Sequence, residues 1–356
     1  MHLSLTLYFI FSLLASSIRV GATGLRRGNF GAFWTELVDS ITRLYNPKLN
    51  SQVKLSLLEP DNSILFPNFT PDPSPAGNYL RNALASIPTS GHYYLTQPQL
   101  YALQKYAKLA AISHCKDLRP GPFSCRAFCE DFHNVSTIQQ VWDTESETRG
   151  YIARDDARRT LVVSFSGANT WMAKLYDVTA VKMPYPHAGI SRMEIHTGLV
   201  TAYSIFREGI LSTIVDQLHR YPDYAVELIG YSMGAAFSIM LAIDLFETYP
   251  NFDSKRVAVV TFGEMRFGNR EYADYVDSYG VLIKRIVNKR DCFPNVLKMS
   301  QGYRHHSQEL WVKPGPGIET MTCEGQEDPQ CSNSISFSES DYKDHFVYYG
   351  IDMRAC

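Results

Sequence analysis

Strong net charge is missing from this 356-residue sequence: 34 Lys and Arg stand against 36 Asp and Glu, a formal charge of −2. No basic block breaks that balance, so composition makes no case for a nucleic-acid partner. There is no internal repeat, which sets repeat architectures aside. A long apolar run is lacking as well. The stretch Leu3 to Ile18 is interrupted by Ser and Thr and falls short of the ~20 residues of a comfortable membrane span. No stable transmembrane anchor is expected. Cysteine is absent before Cys115. What remains is ordinary for a globular protein with a sizeable core, 45% hydrophobic and 20% charged, enough for one large α/β domain or two small ones.

The N-terminus suggests a compartment. Leu3 to Ile18 is followed by Val20-Gly21-Ala22, whose small residues suit cleavage after Ala22, although His2 is the sole candidate positive charge ahead of the run. Residues 1–22 are read as a secretory signal peptide, with an uncleaved signal-anchor in the endomembrane system as the alternative. In an oxidising compartment the cysteines Cys115, Cys125, Cys129, Cys292, Cys323, Cys331 and Cys356 can pair, and seven leaves one over. Asn68-Phe69-Thr70 and Asn134-Val135-Ser136 are glycosylation sequons. Residues 23–94 carry Pro60, Pro67, Pro71, Pro73 and Pro75 and little periodicity beyond Phe33–Tyr45. They read as a propeptide or loose extension, for which Arg26-Arg27 could be a processing site, or as an ordered arm of the domain at 95–356.

From residue 95 strands and helices alternate. Pro98 to Ile112, Thr197 to His219 and Glu271 to Tyr279 have helical spacing. Thr160–Phe165, Ala225–Ile229, Val257–Gly263, Lys284–Val287 and Glu309–Val312 read as strands. The alternation predicts a mostly parallel sheet with helices on both faces. Within it, Gly230-Tyr231-Ser232-Met233-Gly234 joins an apolar strand to the Ala/Leu-rich helix Ala235–Leu245. That is the strand–turn–helix context of a nucleophile elbow, in which glycines permit a strained turn with close backbone approach. A serine nucleophile needs a base and an orienting carboxylate, in the chain order Ser, acid, His for this kind of sheet. Asp291 stands out because it follows the Lys284–Val287 strand and precedes Pro294. Three histidines satisfy the order, namely His305, His306 and His345, and position alone does not choose among them.

Residues 95–356 resemble the class 3 lipases, the secreted triacylglycerol lipases of fungi and yeasts. The likeness is carried by Val163–Gly167, His196-Thr197-Gly198-Leu199 with Ala202-Tyr203, the elbow Gly230–Gly234, Thr261–Asn269, Arg285–Asp291, Tyr303-Arg304-His305 with Glu309-Leu310-Trp311, and Asp344–Gly350. The resemblance implies the α/β-hydrolase fold, with Ser232 as nucleophile, His345 as general base and then general acid, and Asp291 as orienter. It implies disulfides Cys115–Cys356, Cys125–Cys129 and Cys323–Cys331, leaving Cys292 unpaired. It implies an oxyanion hole from the backbone amides of Ala168 and Met233. It also implies a lid over Ala168 to Val178, with Trp171, Met172, Leu175 and Tyr176 on one side of a short helix.

Departures from the family pattern surround the serine. Tyr231 replaces a histidine, Ser166 an arginine and Ala168 a Ser or Thr, and Phe262-Gly263-Glu264-Met265 lacks a proline. Tyr231 is expected to shape the elbow without entering the chemistry. The complete triad predicts a secreted serine hydrolase of lipid carboxylic esters working at a lipid–water interface, with no cofactor and no metal. Phospholipid or feruloyl esters are the alternative substrates, and a non-catalytic lipid-binding or cell-surface protein is the alternative class.

Overall fold

Five short buried strands lie side by side at the centre of the molecule. The computed structural model describes residues 78–143, 148–167, 181–185, 192–249 and 251–356. Helices Tyr79–Ala85 (α1) and Gln97–Ile112 (α2) come first among these. Strands Gly121–Pro122 (β1), Val135–Trp142 (β2), Arg149–Asp155 (β3), Thr160–Phe165 (β4), Lys182–Pro184 (β5) and Glu194–His196 (β6) follow. Next are helices Thr197–Ser204 (α3) and Arg207–Arg220 (α4), strand Ala225–Tyr231 (β7), helix Met233–Thr248 (α5), strand Val257–Phe262 (β8) and helix Arg270–Ser278 (α6). Strands Leu282–Asn288 (β9), Glu309–Val312 (β10), Thr320–Thr322 (β11), Val347–Tyr348 (β12) and Ile351–Asp352 (β13) complete the order.

The large sheet runs β1-β2-β3-β4-β7-β8-β9-β10-β11. Its five central strands β4, β7, β8, β9 and β10 are parallel, with Phe165 opposite Gly230 and Tyr231 opposite Phe262, while the outer pairs are antiparallel. Because side chains alternate across a strand, each central strand serves two apolar layers. Val226, Leu228, Val257 and Val259 pack with Leu199, Ile214, Phe237 and Leu241 of α3, α4 and α5. Ile229, Tyr231, Val260 and Phe262 pack with Leu103, Tyr106 and Leu109 of α2 and with Tyr348 and Met353. The predicted α/β architecture is thus present, with helices on both faces. Among the described residues no helix is long and apolar enough to cross a membrane.

One segment differs from the sequence reading. Thr197 to His219 is two helices, because the chain turns at Ile205 and Phe206. That turn carries the Phe206 ring to Phe165, Tyr203 and Phe237, at centroid distances of 5.3–5.6 Å. Residues 78–94, for which the sequence left an ordered arm open, pack against the body that follows. Leu80, Leu84 and Ile87 are buried among the α2 side chains, a burial worth about 1.5–3 kcal/mol for each. Arg81 donates to the carbonyls of Lys255 and Val257, and Asn78 donates to Thr160 Oγ1 at 2.7 Å. The proposed signal peptide and Asn68 lie outside the described residues.

The arm also meets a buried lysine. Lys284 in β9 is fully buried, and its Nζ donates to the Ile87 carbonyl at 3.2 Å and to Gln308 Oε1 at 3.3 Å. Burial pushes its pKa from 10.5 down to about 8. Below pH 8 the folded protein therefore carries the full cost of the buried charge, about 3 kcal/mol. Between pH 8 and 10.5 the unfolded chain binds more protons than the folded one, so this part of the stability rises with pH. Lys284→Met is expected to raise the Tm at pH 7, with the gain shrinking towards pH 10.5 in thermal melts. A lower Tm at pH 7 would contradict that reading.

Candidate active site

Strand β7 ends at Tyr231 and α5 starts at Met233, leaving Ser232 alone in the turn with φ +56° and ψ −121°. For a residue with a side chain this backbone costs about 1–3 kcal/mol, and it persists only where the surroundings hold it. The holders are visible: Ser232 N–H donates to the Phe262 carbonyl at 2.8 Å, and Ala235 N–H donates to the Ser232 carbonyl at 3.0 Å. The flanking glycines answer to space. A Cβ on Gly230 would lie 2.3 Å from the Gly234 carbonyl oxygen, and one on Gly234 would lie 2.4 Å from the Phe165 carbonyl oxygen. Met233 stands at the first helical position, so its amide has no partner within its own helix. At the end of β4, Gly167 closes on the turn; a Cβ there would sit 2.9 Å from Ser232 Cβ. Ala168 and the lid residues Trp171, Met172, Leu175 and Tyr176 lie outside the described residues.

Asp291 follows β9 and is buried, with its amide bonded to the Asn288 carbonyl at 2.8 Å. Its Oδ1 accepts from Phe293 N–H at 2.9 Å; its Oδ2 lies 2.8 Å from His345 Nδ1 and accepts from the Tyr348 hydroxyl at 2.5 Å. Burial, reinforced by the Asp291 charge, holds the Tyr348 pKa well above that of free tyrosine, so the phenol stays a donor. His345 closes the short helical turn Tyr342–His345 and is buried. Asn288 Nδ2 ties its loop down by donating to the carbonyls of Asp344 at 2.9 Å and Val347 at 2.8 Å. With Nδ1 committed to Asp291, the imidazole keeps Nε2 as a proton acceptor. Tyr231, one residue before the serine, donates its hydroxyl to the His345 carbonyl at 3.1 Å, and the two ring centroids are 4.9 Å apart. Gly263 meets the same imidazole: a Cβ there would be 2.6 Å from its Cε1. The turn bearing Ser232, the loop bearing Asp291 and the loop bearing His345 therefore converge at the C-terminal ends of β7, β8 and β9.

The other two histidines go elsewhere. His305 Nε2 lies 3.0 Å from the Pro294 carbonyl, and His306 Nε2 lies 2.8 Å from Glu264 Oε1, both fully inside the protein. Burial, aided by Arg285 and Arg266, pushes the His305 pKa well below normal. For His306 burial also pushes down, but the Glu264 carboxylate outweighs it and the pKa is raised. Arg266 donates to the Pro294 and Leu297 carbonyls at 3.4 and 3.2 Å and pairs with Glu327 at 2.8 Å. These groups support the loop after Asp291 from below.

Three disulfides join Cys115 to Cys356, Cys125 to Cys129 and Cys323 to Cys331. Cys292 is free and buried, its thiol pushed up to about 11 by burial and by the neighbouring Asp291 charge. The first bridge fastens the chain end beyond His345 to the segment after α2. Asn134 is exposed in the turn before β2. Sequence reasoning missed Tyr348, Phe293, Gly263 and Asn288 as parts of the site. Tyr348 had a signal, since it stands in the aromatic stretch that His345 opens; the others became visible through contacts alone.

The chain is similar to known lipases in sequence and in fold. The family described as "Lipase (class 3)" matches residues 162–300. A lipase of Rhizomucor miehei is 29% identical over 263 residues, covering 73% of this chain and 71% of its own. The crystal structure of a lipase from Rhizopus microsporus var. chinensis superimposes with a TM-score of 0.69 at 28% identity, over 83% of this chain and all of that one. A triacylglycerol lipase whose catalytic centre is a serine-protease triad matches with a TM-score of 0.69 and 29% identity, over 75% of this chain and all of its own.

Proposed function

We propose that the chain, similar to the class 3 lipases over much of its length, is a serine hydrolase of carboxylic esters in which each site residue has the following role. Ser232 Oγ attacks the ester carbonyl as His345 Nε2 takes its proton, and the carbonyl electron pair moves onto oxygen. The amides of Met233 and Ala168 receive that oxyanion, at about 3–4 kcal/mol for each donor. His345 then gives the proton to the alcohol oxygen as the ester C–O bond breaks, leaving acyl-Ser232. Water, deprotonated by His345, releases the acid. Asp291 holds the imidazole in the required tautomer and faces the positive charge that forms on it.

The observation that carries this reading is the His345–Asp291 pair, 2.8 Å apart, with the His345 ring 4.9 Å from that of Tyr231, the residue before the strained Ser232. The proposed substrate is a lipid ester met at a lipid–water interface, and the proposed place of action is outside the cell. The disulfides support that compartment, because such bonds persist where thiols are oxidised. Hydrolysis of triglyceride, phospholipid and feruloyl ester by the wild type and by Ser232→Ala tests the proposal. Triglyceride is expected to be the best of the three, and Ser232→Ala to lose about 10⁶-fold in kcat. A variant that retains wild-type turnover would exclude Ser232 as the nucleophile.

A further inference from the structure

Aromatic rings crowd the His345 imidazole in a way that the triad does not require. The Phe293 centroid is 3.9 Å from that of the imidazole at 26° between planes, and Tyr231 is at 4.9 Å and 31°. We propose that Phe293 and Tyr231 are positioning residues which turn aromatic faces to His345 and favour its protonated form during the reaction. This inference rests on the reading of His345 as the base.

The face of an aromatic ring carries negative potential, and a cation within about 6 Å of the centroid is attracted to it. A neutral imidazole gains little from such a face. The imidazolium formed when Ser232 gives up its proton gains more, so the contact is stronger in the transition state than before it. Both rings are buried, where such attraction is less screened than in water. Each is held in place. Phe293 N–H is bonded to Asp291, and the next carbonyl, of Pro294, is gripped by His305 and Arg266. Tyr231 is fixed by its hydroxyl on the His345 carbonyl and by the His114 ring at 5.7 Å.

The charged and titratable groups around the imidazole fit this assignment. Asp291 meets its Nδ1, and the neutral Tyr348 hydroxyl donates to the same Asp291 oxygen. Burial and the Asp291 charge keep Tyr231 a neutral phenol. Burial pushes His114 down to about 4 against its hydrogen bond to the Gly167 backbone, so no second imidazolium competes. Arg354 lies over the Phe346 ring, which meets His345 edge-on at 6.0 Å.

The test replaces Phe293 in the full chain with mono-, di- and trifluorophenylalanine, which withdraw the face potential with little change of shape. kcat and KM for a soluble p-nitrophenyl ester are measured across pH. The expected result is a stepwise fall in kcat of about three- to tenfold across the series, with KM within twofold. The pH at which the base loses its proton should move down in step. Phe293→Leu should lose about tenfold and Phe293→Trp recover it; Tyr231→Phe should retain more activity than Tyr231→Leu. A kcat that stays flat through the fluorine series overturns the proposal while leaving the triad standing. A wild type without Ser232-dependent turnover overturns both.

Discussion

Asp291→Asn lowers kcat about 10⁴-fold while the protein remains folded, the loss expected when an orienting carboxylate is replaced by its amide. The reason lies in one oxygen. Asp291 Oδ2 faces both His345 Nδ1 and the Tyr348 hydroxyl, and both are donors in the working state. An amide nitrogen at that place would present hydrogens to two donors; an amide oxygen there would put the NH₂ against the Phe293 N–H, which Oδ1 now accepts. Either orientation breaks a bond, and the tautomer that leaves Nε2 free is no longer enforced. Steady-state kinetics on a soluble ester, paired with a melting curve, measures the effect. A loss below tenfold would mean that Asp291 does not orient His345.

Gly263→Ala is expected to reduce kcat by 100-fold or more. A methyl there would fall 2.6 Å from His345 Cε1, 2.7 Å from its Nδ1 and 2.8 Å from the Tyr348 hydroxyl. The imidazole must retreat, and a displacement of about 1 Å from productive geometry costs about 100-fold. The backbone adds about 1–2 kcal/mol of instability, because φ is +61°. Gly280 is the control: it has the same φ of +61°, but a methyl on it would meet nothing within 4 Å. Gly280→Ala should therefore show the stability loss with unchanged kcat. Equal kinetics in the two variants would contradict the packing of Gly263 against the histidine.

The central strands were legible because each is a short, largely apolar stretch buried on both faces by the alternation of its side chains. Thr160–Phe165 and Glu309–Val312 coincide with their predicted limits. The elbow was legible for a local reason, since both glycines are required by backbone contacts within a few residues or on the adjacent strand. The choice among His305, His306 and His345 was not local. All three are buried and all three make polar contacts. What separates them is which one a strap closed by Cys115–Cys356 brings to Asp291, and family resemblance supplied that where chain order did not. The aromatic setting of His345 was illegible because Tyr231, Phe293 and Tyr348 come from three separate elements. The arm at 78–94 was obscured by the proline-rich stretch before it, although Leu80, Leu84 and Ile87 carry its packing.

The most direct measurement is the mass of the protein after exposure to a fluorophosphonate, with detergent or lipid present, followed by peptide mapping. The account predicts one stoichiometric adduct, carried by Ser232, and its near disappearance on the same timescale in Asp291→Asn. No adduct on the folded wild type, or an adduct on another residue, would contradict it.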